Sequence, residues 1–264
     1  MLFYKLRSAY HFFTEFGVDP IKFARSITGI PWYLSQVILF FVRLHKSDIK
    51  NKSFSLSPSF NDRYGSAGKL DRHYFHQDLW AARKVYEENP ICHVDVGSRI
   101  DGFIAHLLTF REVEVLDIRP MSSLTKGMRF RQLDIMKYND VPVGICDSIS
   151  CLHALEHFGL GRYGDPIDPE GYIKGLRSLT KLLQPEGKLL LSVPVGIECI
   201  KFNSHRTFSP KTILRCTESD YELISFSYID DDKNFHENVS VQSFPPDLIY
   251  GCGMFEFRKT VKLK

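Results

Sequence analysis

The sequence has no Cys-x-x-Cys pair, no low-complexity tract and no internal repeat. The first absence removes zinc-ribbon and thioredoxin-type motifs; the others remove linkers and repeat arrays. Six cysteines (Cys92, Cys146, Cys151, Cys199, Cys216 and Cys252) are scattered along the chain. They read as reduced thiols of a cytosolic protein, mostly in or beside strands. Net charge is only +3, too little to favour nucleic acid as a partner. Apolar runs are short as well. The longest uncharged one, Trp32 to Val42, falls below the roughly 20 residues that span a bilayer, and no signal peptide is evident.

What is present suits one sizeable globular domain plus an accessory segment: 264 residues, 44% apolar and 25% charged. Charge is uneven, with eight Lys/Arg against three Asp/Glu in residues 1–60. Residues 1–54 read as a helical extension. Asp19-Pro20 is an N-cap followed by a first-turn proline, and Gly29-Ile30-Pro31 is expected to end one helix and start another. Residues 55–69 are rich in Ser, Asn and Gly and read as a loop or lid. Residues 70–264 form the main domain, opening with a helix over 70–89.

From Pro90 onward strands and helices alternate, which predicts an α/β fold with a doubly wound, mostly parallel seven-strand sheet. Strands are expected at 93–96, 113–117, 129–133, 145–151, 188–195, 223–229 and 254–258, the last two as an antiparallel closing hairpin. Asp168 and Pro169 are expected to start the helix before the fifth strand, with Tyr172, Leu176, Leu179 and Leu183 as its buried stripe.

The first strand runs into the turn Gly97-Ser98-Arg99-Ile100-Asp101-Gly102, and Asp117 ends the second strand twenty residues after Gly97. A glycine turn at a helix start offers free backbone N–H groups, and an acid at that interval can hold a ribose diol. Asp134 follows the third strand, where it can meet an adenine amino group. His153, Glu156 and His157 follow the fourth. A histidine there suits removal of a hydroxyl proton. The four-residue spacing of His153 and His157 also occurs in metal sites, with Asp165, Asp168 or His205 to complete one; no third ligand is fixed, and no metal is expected.

The VDVG turn, Asp117, Asp134, the LxxLEH segment and the LxPxGxLxxSVP hairpin resemble, in this order, the class I S-adenosylmethionine-dependent methyltransferases. The strings YFHQDL, HVDVGSRIDGFIAHL, FREVEVLDIRP, CLHALEHFGLGRYGDPIDPEG and YGCGMFEF are similar to a branch of that superfamily known as domain of unknown function 268. The resemblance covers residues 70–260. It implies S-adenosylmethionine as cofactor, held by Asp95, Gly97, Ser98, Arg99, Gly102, Asp117, Ile118, Asp134 and Ile135. Arg99 stands where the superfamily usually has a second glycine; its guanidinium either obstructs the cofactor or faces the methionine carboxylate. Bacterial members of the branch are encoded with surface-polysaccharide genes, which implies a carbohydrate or glycolipid acceptor.

The long segment 158–171 leaves a central strand. With Arg162, Tyr163, Asp165 and Asp168, and with His205-Arg206 beyond the fifth strand, it offers groups that suit a sugar. His157 or His153 is the expected base, with Glu156 as orienting partner. His76 and Gln77 line the cofactor mouth or pack in the core. The N-terminal extension is either a cap on the main domain or a peripheral element at the inner face of a membrane. Two rivals remain open: a nicotinamide-dependent oxidoreductase and a non-catalytic binding module.

Overall fold

Where apolar residues recur at helical spacing near the N-terminus, the chain builds a long helix. The computed structural model describes residues 10, 12–46, 55–65, 70, 72–122 and 125–261, and the chain divides into two units, Met1–Leu70 and Asp71–Lys264. In the first, helix α1 spans Pro20–His45. Asp19 Oδ1 accepts from the backbone N–H of Ile21 and of Lys22, each at 3.0 Å, the cap expected from Asp19-Pro20. The helix does not break at Gly29-Ile30-Pro31, contrary to the sequence expectation. Pro31 removes one backbone donor, yet its fixed φ is helical, and packing holds the two halves in line. Gly29 is buried against Phe60, whose Cβ lies 3.1 Å from where a Gly29 side chain would begin. Unbroken, the 26-residue helix is long and apolar enough to cross a membrane by length and composition, which the short run Trp32–Val42 had argued against. Segment 55–65 lies along α1 rather than forming a free lid: Phe60 packs edge-on to Tyr33, and Asn61 Nδ2 donates to Ser26 Oγ at 3.1 Å.

The second unit is a three-layer α/β structure. Helix α2 (Arg72–Glu88) precedes β1 (His93–Val96). A π-helical turn (Ile100–Ile104) and a short α3 (Ala105–Leu107) lead to β2 (Val113–Asp117) and β3 (Met128–Gln132). Then come β4 (Cys146–Leu152), α4 (Gly171–Leu182), β5 (Leu183–Val195), the hairpin β6 (Cys199–Lys201) and β7 (His205–Thr207), and α5 (Pro210–Thr217). Strands β8 (Tyr221–Ile229), β9 (Phe235–His236) and β10 (Gly251–Lys259) finish the order. The main sheet runs β3-β2-β1-β4-β5-β10-β8-β9. Strands β3 to β5 are parallel, and β10 lies antiparallel between β5 and β8. The expected sheet and its antiparallel C-terminal pair are present, with the two-residue β9 added at the edge.

Both faces of the sheet are covered, so its central strands are buried on both sides, and the polar residues they carry, Asp95, Ser148 and Ser150 among them, are buried with them. Leu176, Leu179 and Leu182 of α4 and Ile213 of α5 pack on Val94, Ile149 and Leu191. Trp80, Ala81 and Val85 of α2, with Phe103, Ile104 and Leu107, pack on Val115, Leu190 and Met254. Pro194 is tolerated in the central strand β5 because its carbonyl accepts from Phe208 N at 2.9 Å. The missing N–H therefore points to the same flank, past Leu152, the last residue of β4 that pairs with β5.

Candidate active site

Strand order reverses between β1 and β4, and in such sheets the crevice for a ligand opens beyond the carboxyl ends of those strands. Two adjoining cavities are found there. The first is lined by Gly97, Asp117, Ile118, Asp134, Ile135, Phe158, Tyr163 and Asp165 among others. The second is an open, polar cleft with Tyr74, Ser98, Arg99, Glu156, Arg162, His205 and Tyr250 on its walls. Gly97, Asp117, Arg119, His153, His157 and Tyr163 border both.

The turn after β1 is anchored from below. Asp95 is fully buried; its Oδ2 accepts from Ser98 N at 3.0 Å and its Oδ1 from Ser98 Oγ at 2.6 Å and Ser150 Oγ at 2.5 Å. Burial pushes its carboxyl up to about 6, against those hydrogen bonds. Asp95 thus shapes the turn and does not line either cavity. Gly97 needs its glycine: φ is +71°. Gly102 faces α2, where an added Cβ would sit 2.2 Å from Asp78 Oδ2, so it serves close packing rather than the crevice. The expected regular helix after the turn is π-helical at its start. Arg99 stands at the rim, half-exposed, paired with Asp101 at 2.9 Å and 4.8 Å from the Tyr74 ring. It leaves the crevice open.

Asp117 is already engaged. Arg119 binds it through Nε at 3.0 Å and Nη2 at 2.6 Å, and the same guanidinium lies 4.4 Å from the Tyr163 ring. A diol reaching Asp117 meets this pair first. Asp134 accepts from Met136 N at 3.0 Å, which presents Ile135 to the first cavity.

Beyond β4, His153 adopts φ +49°, a left-handed conformation that turns the chain sharply into 155–157. His153 Nδ1 lies 2.9 Å from Glu156 Oε1, with both side chains buried. Burial works against the imidazolium, but Cys252 and then the Glu156 carboxylate carry its pKa well above the ordinary value. Burial likewise opposes the Glu156 carboxylate, which His153 and His157 nevertheless hold below its usual range. The two form a buried ion pair, with Glu156 Oε2 lacking a partner among the described residues. His157 differs. Its Nδ1 is 2.6 Å from the Ser204 carbonyl, which only accepts, so the proton sits on Nδ1 and Nε2 carries a lone pair. Burial lowers its pKa despite Glu156, which favours the neutral ring.

The remaining candidates divide. Arg162 and Tyr163 face the cleft, and so does His205, whose pKa burial and Lys201 lower to about 4. Asp165 closes its own loop, with Oδ2 accepting from Gly159 N at 2.8 Å and Gly161 N at 3.2 Å, while bordering the first cavity. Arg206 and Asp168, expected at the substrate, line neither cavity. Arg206 is buried and donates to the carbonyls of Glu156, Phe158 and Pro169 at 3.3, 2.7 and 3.2 Å, clamping the loop. Asp168 pairs with Lys174 and accepts from Glu170 N at 2.9 Å; α4 begins after it, so it is no N-cap. His76 stacks on Phe235, and Gln77 is buried against Ser192, so both pack rather than line the mouth. Reading the residues singly missed Arg119, Tyr74 and Tyr250. They fall inside FREVEVLDIRP, YFHQDL and YGCGMFEF, and those strings were the available signal. Among the described residues, no group of three or more His, Cys, Asp or Glu could hold a metal ion.

Residues 114–241 match the family model described as "Caenorhabditis protein of unknown function, DUF268". The fold is that of the class I methyltransferases. A 1,6-didemethyltoxoflavin-N1-methyltransferase from Burkholderia thailandensis, solved with bound 1,6-didemethyltoxoflavin and S-adenosylhomocysteine, superposes with TM-score 0.50. That match has 13% identity and covers 71% of this chain and 80% of the other. The N-methyltransferase NodS from Bradyrhizobium japonicum, in complex with S-adenosylhomocysteine, gives TM-score 0.51 at 12% identity over 73% and 89%. The [4+2]-cyclase SpnF gives 0.51 at 12% over 70% and 81%. No curated protein sequence matches the chain. At such identities the methyltransferase likeness speaks for the fold, and SpnF marks that this fold carries more than one chemistry.

Proposed function

We propose that the protein is an S-adenosylmethionine-dependent methyltransferase acting on a hydroxyl of a carbohydrate or glycolipid. The observation that carries the cofactor assignment is the gathering of Gly97, Asp117, Ile118, Asp134 and Ile135 around one cavity at the switch point of the sheet. Its apolar walls, Ile135, Leu133 and Phe158, suit an adenine ring, and Asp117 suits a ribose diol once Arg119 yields. Ser98 and Arg99 lie on the cleft side, where a methionine carboxylate would meet a guanidinium. The bound cofactor supplies a methyl group on a sulfonium. The chain's own part is alignment of the acceptor and removal of its proton.

For the proton we assign His157, which borders both cavities and whose Nε2 lies 3.6 Å from Glu156 Oε1. His153 and Glu156 form the fixed pair beneath it and act as positioning residues. Three tyrosines (Tyr74, Tyr163 and Tyr250) with Arg162 and His205 border the same cleft. Aromatic faces interleaved with hydrogen-bonding groups support a sugar as acceptor. The antiparallel β10 between β5 and β8 counts against a nicotinamide-binding fold, whose sheet is mostly parallel.

Thermal denaturation tests the reading. S-adenosylhomocysteine should raise the melting temperature, as any ligand selective for the folded state does, and Asp117→Ala should remove most of the shift. Stabilisation by NAD alone would refute the assignment.

A further inference from the structure

Helix α1 carries an exposed apolar stripe. Phe23, Ile27, Ile30, Leu34, Ile38 and Phe41 follow one another at three- and four-residue steps and are 44–65% exposed. At 1.5 Å per residue the stripe is about 27 Å long. The neighbouring face is occupied by segment 55–65, which runs antiparallel to the helix. The Tyr64 ring lies 5.5 Å from the Arg25 guanidinium, the Arg63 guanidinium lies 4.3 Å from the Trp32 ring, and Leu56 reaches the surface of Tyr33, Val37 and Phe40. At 100° per residue, Lys22, Arg25 and Arg43 fall on the strap side, and the stripe holds no charge between Phe23 and Phe41.

We propose that α1 lies flat on an anionic lipid bilayer, with this stripe sunk among the acyl chains and the strap facing water. Length and composition alone would also allow the helix to cross the bilayer. The strap decides between the two. Its Ser-, Asn- and Asp-bearing irregular backbone is fastened alongside residues 25–40, and such backbone has no partners in hydrocarbon. An apolar face flanked by basic residues is what an interface between acyl chains and acidic headgroups binds. This inference is independent of the catalytic assignment.

The test uses the full chain and sedimentation with phosphatidylcholine vesicles, with and without phosphatidylserine. The chain should pellet with the anionic vesicles, bind neutral ones less, and come off in alkaline carbonate. Replacing Ile27→Glu and Ile38→Glu together should lower partitioning on the order of a hundredfold. The melting temperature should hold, because both side chains are exposed. The milder pair Ile27→Ser and Ile38→Ser should fall between, which guards against a folding defect in the first variant. Unchanged partitioning of both variants would overturn the proposal. Release by detergent alone, with residues 55–65 shielded from protease, would make α1 a spanning helix instead. Indifference to vesicles, with a dimer that the Glu variant dissociates, would assign the stripe to a second copy of the chain.

Discussion

His153 and His157 stand four residues apart, and their surroundings drive them to opposite protonation states. One faces a buried carboxylate, the other a backbone carbonyl. The sequence placed both beside the reactive end of β4 but could not separate them, because the distinguishing partner, Ser204, lies 47 residues away. With the acceptor in hand, His157→Ala should lower kcat by about 10²–10⁴ and leave S-adenosylhomocysteine affinity within a few-fold. Because the folded pKa of His157 is lowered, the neutral base persists below its ordinary pKa, and the acid limb of the rate profile should lie under about 6.5. A His157→Ala variant of normal kcat would remove the base from the mechanism. Asp117 repeats the lesson: its interval from Gly97 was legible, whereas its occupation by Arg119, only two residues on, was not.

At the scale of elements, strands were the most legible. Strands β1 and β2 match the expected bounds residue for residue, because their valines recur at the two-residue period of a strand and turn residues follow. The hairpin β6–β7 and strand β9 were not foreseen; strands of two or three residues carry no period to read. Nor was the continuity of α1 across Gly29-Ile30-Pro31, since the contact that supports it comes from Phe60. The length of segment 158–171 marks it as a candidate ligand loop, but the residue that holds it, Arg206, is one that the sequence reading assigns to substrate. Arg206→Met should cost about 2–4 kcal/mol in urea unfolding, the loss of several charge-assisted hydrogen bonds partly replaced by water. It should also make the loop a new site of limited proteolysis. An unchanged urea midpoint would mean that the carbonyls are satisfied without the guanidinium.

On the scale of the whole molecule, acid sensitivity follows from groups kept neutral inside. His93 is fully buried between Ser148 and Ser150, and burial lowers its pKa to about 3; His205 is lowered to about 4. An unfolded chain takes up these protons near pH 6.5 and the folded one does not, so stability falls as pH drops from about 6.5 toward 4. Asp95 acts in the opposite sense. Its pKa, raised to about 6, makes the folded state the better proton acceptor between about 6 and 3.8. The histidine gaps are wider, so the melting temperature should decline between pH 6.5 and 4.5, and His93→Gln should flatten the decline. A flat profile in the unmodified chain would show that Asp95 cancels the histidines.

The position of β10 sets the order in which the molecule can be made. This strand occupies the middle of the right half of the sheet, paired along residues 251–258 with β5 and along 252–259 with β8, yet it is the last of the strands to be synthesised. Until it emerges, the newborn chain holds two unpaired strand edges, one on β5 and one on β8, and either can recruit a neighbour. Closure of the sheet therefore waits for β10. A ribosome that stalls shortly before residue 251 releases a sticky half-sheet rather than a slightly shortened domain, and the surveillance of such fragments falls to chaperones.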